Sequence, residues 1–326
     1  MQRKKTIVLV NFGGPRSLNE VEPFLKALLT DKEVIRTPLP QFIHTLIFSS
    51  AAKKRARIVQ HDYAEIGGKS PIFEDTQAIA QRLSEITGIS TLTFHRYIPD
   101  THKEFVEMIS KVQEEEIEVF PLFPQFSYAT TGSIAKWFWD HLPHEVINKL
   151  RWIKSYCSHP AYVACSQRLI AEFLKDQGLK EEESVLFFSA HGLPQSFIDS
   201  GDIYESECQG SFQEIARAFP KAKSLLAYQS KFGRGKWLEP ATNEVCEQIL
   251  SHYDNRKNVL IIPLSFTSDH IETLFEVEKL YLPIIKNKGL NAYRVPAFNR
   301  REDWVESIAH ILEEGRFSKT ENLLRR

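Results

Sequence analysis

Val185-Leu186-Phe187-Phe188-Ser189-Ala190-His191-Gly192-Leu193-Pro194 is the stretch on which the fold turns. The run 185–190 carries no charge and has the length of a strand, and a strand that is apolar on both faces belongs in a parallel sheet covered by helices on both sides. Gly192 and Pro194 then force a turn, which leaves His191 at the carboxyl edge of the strand. Runs of similar character lie at 6–11, 91–98, 117–123, 151–156, 224–228 and 259–266. Between them, amphipathic segments such as 20–29, 102–114, 161–175 and 204–218 are long enough to be crossover helices. The alternation predicts an α/β chain of doubly wound parallel sheets.

With 326 residues the chain exceeds the usual single domain of about 100–200 residues, so two Rossmann-like domains flanking a cleft are expected. Ser158-His159-Pro160 forms a joint before the helix at 161, which sets the division at 1–160 and 161–326 and leaves the terminal helix around 303–315 able to pack back on the first half. The net charge of -1 argues against a nucleic-acid partner, which calls for a basic domain or stripe. Lys53, Lys54, Arg55 and Arg57 form the one basic cluster, read as a solvated helix face with a weak attraction to anionic lipid headgroups left open. Cys157, Cys165, Cys208 and Cys246 show no C-x-x-C spacing and are read as reduced, packing thiols. The N-terminus runs directly into the first strand without a signal-peptide pattern, so a cytoplasmic location is expected. No apolar run approaches the roughly 20 residues that span a bilayer, so membrane contact is expected to be at most peripheral.

Ligands of open α/β sheets sit outside the carboxyl ends of strands, where His191 stands. A second crowded strand end is Thr267-Ser268-Asp269-His270-Ile271-Glu272-Thr273-Leu274-Phe275-Glu276-Val277-Glu278. Glu272 and Glu276 are four apart, so both carboxylates share one helical face, where like charges repel unless a proton or cation joins them. The same residues also suit a plain helix start, with Asp269 as N-cap and Glu272 three residues on, and the pattern by itself leaves both readings open. Gly13-Gly14-Pro15 lacks the spacing of a phosphate-binding loop, so no nucleotide is implied.

Ser189-Ala190-His191-Gly192-Leu193-Pro194 resembles the segment of the ferrochelatases that holds their active-site histidine, and Ser268-Asp269-His270-Ile271-Glu272-Thr273-Leu274 resembles its acidic counterpart. Asn11-Phe12-Gly13-Gly14-Pro15, Ile66-Gly67-Gly68-Lys69-Ser70-Pro71-Ile72, Arg96-Tyr97, Pro124-Gln125-Phe126-Ser127, Thr130-Thr131-Gly132-Ser133, Tyr228-Gln229-Ser230-Lys231 and Trp237 follow in that family's order, from about residue 6 to residue 280. The resemblance implies a chelatase-like fold and an enzyme that inserts Fe²⁺ into a porphyrin, with porphyrin and ferrous iron as its substrates and no tightly bound cofactor. It implies His191 and Glu272 as catalytic groups and iron ligands, with Asp269, His270 and Glu276 relaying protons around them. For the porphyrin it implies Phe12, Tyr97, Phe126, Tyr128 and Trp237 along the ring, and Ser127, Thr130, Ser230 and Lys231 toward its carboxylates. The apolar stretch 38–48 is similar to the family's lip over the cleft, with a helix packed on the core as the equal alternative.

The chain departs from the family's animal members in having no cysteine after Cys246, so no iron–sulfur cluster is expected. Ala64 and Glu65 stand where those enzymes have two arginines, and Leu280 stands where the family has its outermost glutamate. Phe12, in place of the tyrosine of coproporphyrin-using members, points to protoporphyrin IX as substrate. Coproporphyrin III, a non-catalytic haem or metal carrier, and a cobalt chelatase acting on a corrin precursor are the competing readings.

Overall fold

A computed structural model describes residues 5–231 and 235–325. The chain divides into two compact units, one of residues 1–155 with 308–326 and one of residues 156–307. The division thus falls ahead of the expected joint at Pro160, and the end of the chain rejoins the first unit.

In the first unit, β1 (Lys5–Asn11), β2 (Thr91–His95), β3 (Glu116–Pro121), β4 (Leu150–Ile153) and β9 (Phe317–Ser318) form a sheet of order β2-β1-β3-β4-β9. The first four strands are parallel, with Val8 opposite both Leu92 and Val119, while β9 runs antiparallel to β4. Central β1 is buried along almost its whole length, as its uncharged run from Thr6 to Asn11 requires. The strand expected at 91–98 stops at His95, because the chain then crosses the sheet edge, where the Arg96 and Tyr97 amides donate to the carbonyls of Asn11 and Phe12. Phe94, Phe105, Trp137, Phe138 and Trp152 centre the core on one face of this sheet. The apolar stretch from residue 41 opens a long helix, Gln41–Glu65, that leaves Phe42 and Leu46 about three-quarters exposed, at 74% and 72%, while His44 is buried.

In the second unit, β5 (Ser184–His191), β6 (Lys223–Gln229), β7 (Asn258–Pro263) and β8 (Asn291–Arg294) form an all-parallel sheet of order β6-β5-β7-β8. The register sets His191 opposite Gln229, and Ser189 opposite both Ala227 and Pro263. Strand β5 is therefore central, and its carboxyl end is flanked by those of β6 and β7. The strand expected at 259–266 ends at Pro263, and the Leu264 amide closes the ladder on the Ser189 carbonyl.

Candidate functional site

Strand β5 delivers His191 to the sheet edge and two hydrogen bonds fix its backbone there. The His191 amide donates to Ser265 Oγ at 2.8 Å, and the Tyr204 hydroxyl donates to the His191 carbonyl at 2.9 Å. The turn that follows needs glycine: the Gly192 amide donates to the Gln229 carbonyl at 2.8 Å, and a Cβ at Gly192 would lie 2.7 Å from that oxygen. Strand β5 therefore ends where the sequence places its turn.

The acidic segment forms a π-helix, Glu272–Tyr281, closed by the Leu282 amide on the Val277 carbonyl five residues back. Such a turn holds more than the 3.6 residues of an α-helix, so side chains four and five apart line up on one face. Glu272, Glu276 and Tyr281 share that face, and the Tyr281 hydroxyl lies 3.5 Å from Glu276 Oε2. Leu280 lies elsewhere on the helix, half exposed. The start of the helix is held by Thr273, whose Oγ1 accepts from the His270 amide at 2.9 Å. The Glu272 carboxylate is thus not engaged as a cap.

It faces His191 instead, with Glu272 Oε2 lying 2.8 Å from His191 Nδ1. A carboxylate only accepts, so Nδ1 carries the proton, and in the neutral imidazole Nε2 is left with the lone pair. Burial by itself would lower the His191 pKa, but the charge and hydrogen bond of Glu272 outweigh it and raise it. Burial likewise disfavours the ionised Glu272, yet the paired histidine holds its carboxyl at about 2. Glu276 lacks such a partner. Burial, reinforced by the neighbouring Glu272 charge, pushes it up to about 7, although Ser230 Oγ donates to Glu276 Oε2 at 2.6 Å. Ser230 also reaches Glu272 Oε2 at 3.3 Å and adopts φ +64°, a left-handed backbone that is strained for a residue with a side chain. The two carboxyls of the site are therefore pushed in opposite directions, Glu272 toward its ionised form and Glu276 toward its neutral one.

His270 lies 3.9 Å from Glu272 through Nε2, while its Nδ1 donates to the Ser268 carbonyl at 3.2 Å, and burial lowers its pKa. It is a neutral neighbour of the pair. Asp269, expected in the proton relay and as the N-cap, does not cap the helix and is turned to other partners. Its Oδ1 accepts from Arg294 at 2.7 Å and from the Ala297 amide at 3.3 Å, and its Oδ2 accepts from Asn299 at 2.9 Å. Through these three bonds Asp269 fastens the loop ahead of the π-helix to β8 and the loop after it. Trp237 is half-buried and bridges to Pro194 beside the Gly192 turn, and Lys231 is exposed.

The remaining porphyrin candidates lie in the first unit. Phe12 packs at 4.9 Å on Tyr97 and 4.8 Å on Phe123, and it keeps part of its surface open, as do Tyr128 and Thr130. Tyr97 and Phe126 are core residues, contrary to the expectation of ring contact. The Tyr97 hydroxyl donates to Asp31 Oδ2 at 3.0 Å, an oxygen shared with Arg96 at 2.8 Å and Ser133 at 2.5 Å. Ser127 is also buried, and its Oγ accepts from the Ala129 amide at 3.0 Å, which engages it in a turn rather than leaving it open to a carboxylate. Ser265, Tyr204 and Gln229 at the His191 edge were not singled out from the sequence. Gln229 lay inside a matched segment, but no spacing rule connects the other two to His191.

The family model described as ferrochelatase matches residues 4–316 of this chain. A ferrochelatase of Chlamydia abortus is 43% identical over 320 residues, covering 98% of this chain and 99% of its own. A ferrochelatase of Chlamydia caviae is 43% identical over 306 residues, covering 94% of each chain. Among solved structures, CbiX, the terminal enzyme for sirohaem biosynthesis in denitrifying bacteria, superposes with a TM-score of 0.52 at 14% identity over 96% of this chain and 99% of its own. SirB from Bacillus subtilis with Fe³⁺ does so with a TM-score of 0.53 at 14% identity over 97% and 99%. At such identity these structures attest the two-domain chelatase fold, whereas the family match and the relatives extend along almost the whole sequence. On these grounds the chain belongs to the ferrochelatase family.

Proposed function

We propose that this enzyme inserts Fe²⁺ into protoporphyrin IX to give protohaem, releasing two pyrrole protons, with His191 and Glu272 as its catalytic pair. The observation that carries this reading is the 2.8 Å contact between His191 Nδ1 and Glu272 Oε2 at the carboxyl edge of a central strand. Metallation removes two N–H protons from the ring as a divalent cation enters, so the charges balance when two bases take up the protons. His191 Nε2 supplies one lone pair, for a pyrrole proton or for the arriving iron, and Glu272 steadies the imidazolium that forms. Glu276, on the same helical face as Glu272 and with its carboxyl raised by burial and by the Glu272 charge, is the second acceptor. Among the described residues no three His, Cys, Asp or Glu side chains converge as a metal-holding group. No tightly bound cofactor enters this scheme, and an iron–sulfur cluster has no part in it.

For the ring, the half-open aromatics Phe12 and Tyr128 of the first unit support an apolar contact with Thr130 as a nearby donor, and in the second unit Trp237 does so, with Ser230 and Lys231 offering donors to a carboxylate. Phe12 brings no hydroxyl, and Ala64 and Glu65 bring no cation, so the donors to be expected around a porphyrin with four propionates are lacking at these positions. This favours protoporphyrin IX over coproporphyrin III. Steady-state assays with the two porphyrins test the choice: a higher kcat/KM for coproporphyrin III overturns it. Phe42 and Leu46 are exposed on the helix that also exposes Lys53, Lys54 and Arg57, which supports peripheral contact with an anionic membrane surface. No helix among the described residues is long and apolar enough to cross a membrane.

A further inference from the structure

Beneath the His191–Glu272 pair lies a buried chain of neutral side chains. Ser189 Oγ donates to Gln229 Oε1 at 2.7 Å and stands 2.9 Å from Thr242 Oγ1. Gln229 Nε2 donates in turn to the Glu272 carbonyl at 3.1 Å and to Glu276 Oε2 at 3.4 Å. Ser189 and Thr242 are fully buried, and Gln229 is 1% exposed. The sheet explains the assembly. Ser189 is two residues before His191 and so faces the same side of β5, and Gln229 is the register partner of His191 on β6. Thr242 opens the helix Thr242–Glu247, which follows the bridge between Tyr228 and Ala241.

The direction of every bond in this chain is determined. The Glu272 carbonyl can only accept, so the Gln229 amide must turn its NH₂ toward it and its oxygen toward Ser189. Ser189 has a single proton and gives it to that oxygen, so it must accept from Thr242. Reversing Gln229 would set its oxygen against the Glu272 carbonyl, with no proton between them.

We propose that Thr242, Ser189 and Gln229 are positioning residues for metal insertion, a one-way hydrogen-bond chain that locks the Gln229 amide and thereby pins the first turn of the π-helix and the Glu276 carboxylate beneath His191. The inference rests on the proposed roles of His191, Glu272 and Glu276. None of the three residues is required to touch substrate. They act through Gln229 on groups whose placement within fractions of an ångström governs the rate.

The test separates hydrogen bonding from packing. Thr242→Val keeps the shape of the side chain and removes its hydroxyl, while Thr242→Ser keeps the hydroxyl and removes a methyl. Ser189→Ala strips the Gln229 oxygen of its buried donor. Anaerobic steady-state assays of the full chain are expected to show kcat falling about tenfold in Ser189→Ala and severalfold in Thr242→Val, with the porphyrin KM within about twofold. Thr242→Ser is expected to stay within about twofold of the parent protein. A Thr242→Ser loss equal to or larger than that of Thr242→Val, or an unchanged kcat in Ser189→Ala, overturns the proposal in favour of plain packing. A readout free of turnover is the side-chain NH₂ signal of Gln229, identified by its disappearance in Gln229→Glu. In Thr242→Val that signal should shift and exchange faster with solvent, and a signal identical to the parent's refutes the chain. If the parent protein fails to metallate porphyrin, the functional reading falls while this spectrum still decides the chain.

Discussion

His191 Nδ1 and Glu272 Oε2 lie 2.8 Å apart, one delivered by the end of a central strand and the other by the first turn of a π-helix. The two elements are 81 positions apart in sequence, so the pair is made by the fold and not by any local motif.

Removing the carboxylate charge tests what the pair does. Glu272→Gln keeps the size of the side chain, and because Thr273 holds the start of the helix, melting should change little. The rate is expected to drop by about 10²–10⁴, the usual value of a proton-transfer group. Glu272 is the chief influence raising the His191 pKa, and burial opposes it, so the midpoint of the His191 imidazole signal in an NMR titration should move to lower pH in the variant. An unmoved midpoint with normal turnover contradicts the assignment.

His95 gives a stability prediction unconnected with turnover. The ring is 1% exposed, both nitrogens lack hydrogen-bond partners among the described residues, and it packs on Phe73 at 4.6 Å. Burial, with smaller contributions from Arg16 and His102, lowers its pKa to about 3. The unfolded chain therefore binds this proton near pH 6.5 and the folded one only near 3, so between these values stability falls as pH falls, by at most about 1.4 kcal/mol per pH unit from this group. His95→Phe should be near neutral at pH 8 and should gain on the parent protein as pH drops from 6.5 to 5, as read by denaturant midpoints. Parallel curves for the two proteins would rule this out.

Much of this architecture is legible in the sequence, for identifiable reasons. Strands β1 and β5 announce themselves because burial on both faces demands an uninterrupted apolar run. Strand β8, Asn-Ala-Tyr-Arg, and the two-residue β9 do not, because short edge strands carry neither apolar pattern nor length. His191, Glu272 and Glu276 stand out by their place at strand ends. The π-helix does not, since its hydrogen bonds, not its composition, widen the turn. Tyr97 and Phe126, and Asp269 as a cap, misled because a motif shows which residues are present and not which way they face: two are core, and the third is bound to Arg294 and Asn299.

The membrane reading predicts binding to vesicles containing anionic phospholipid, weakened by salt. Phe42→Asp with Leu46→Asp should abolish co-sedimentation while leaving the soluble assay near parental values. Binding that survives the double substitution would dismiss the helix as the contact.

Protein free of porphyrin should show none of the broad visible absorption of an iron–sulfur cluster. Cys165, Cys208 and Cys246 are buried, and among the described residues the cysteines do not gather into a metal-holding group. Stoichiometric acid-labile sulfide in anaerobically prepared protein would reverse this.

The most direct measurement follows the visible spectrum of protoporphyrin IX with Fe²⁺ under anaerobic conditions, for the parent protein and for His191→Ala, alongside porphyrin binding by fluorescence quenching. The parent protein should convert the free-base spectrum to that of the metallated ring. His191→Ala should bind the porphyrin with affinity within about tenfold, because apolar contact supplies the binding, and should fail to metallate it. Turnover in His191→Ala within a few-fold of the parent would contradict the account at its centre.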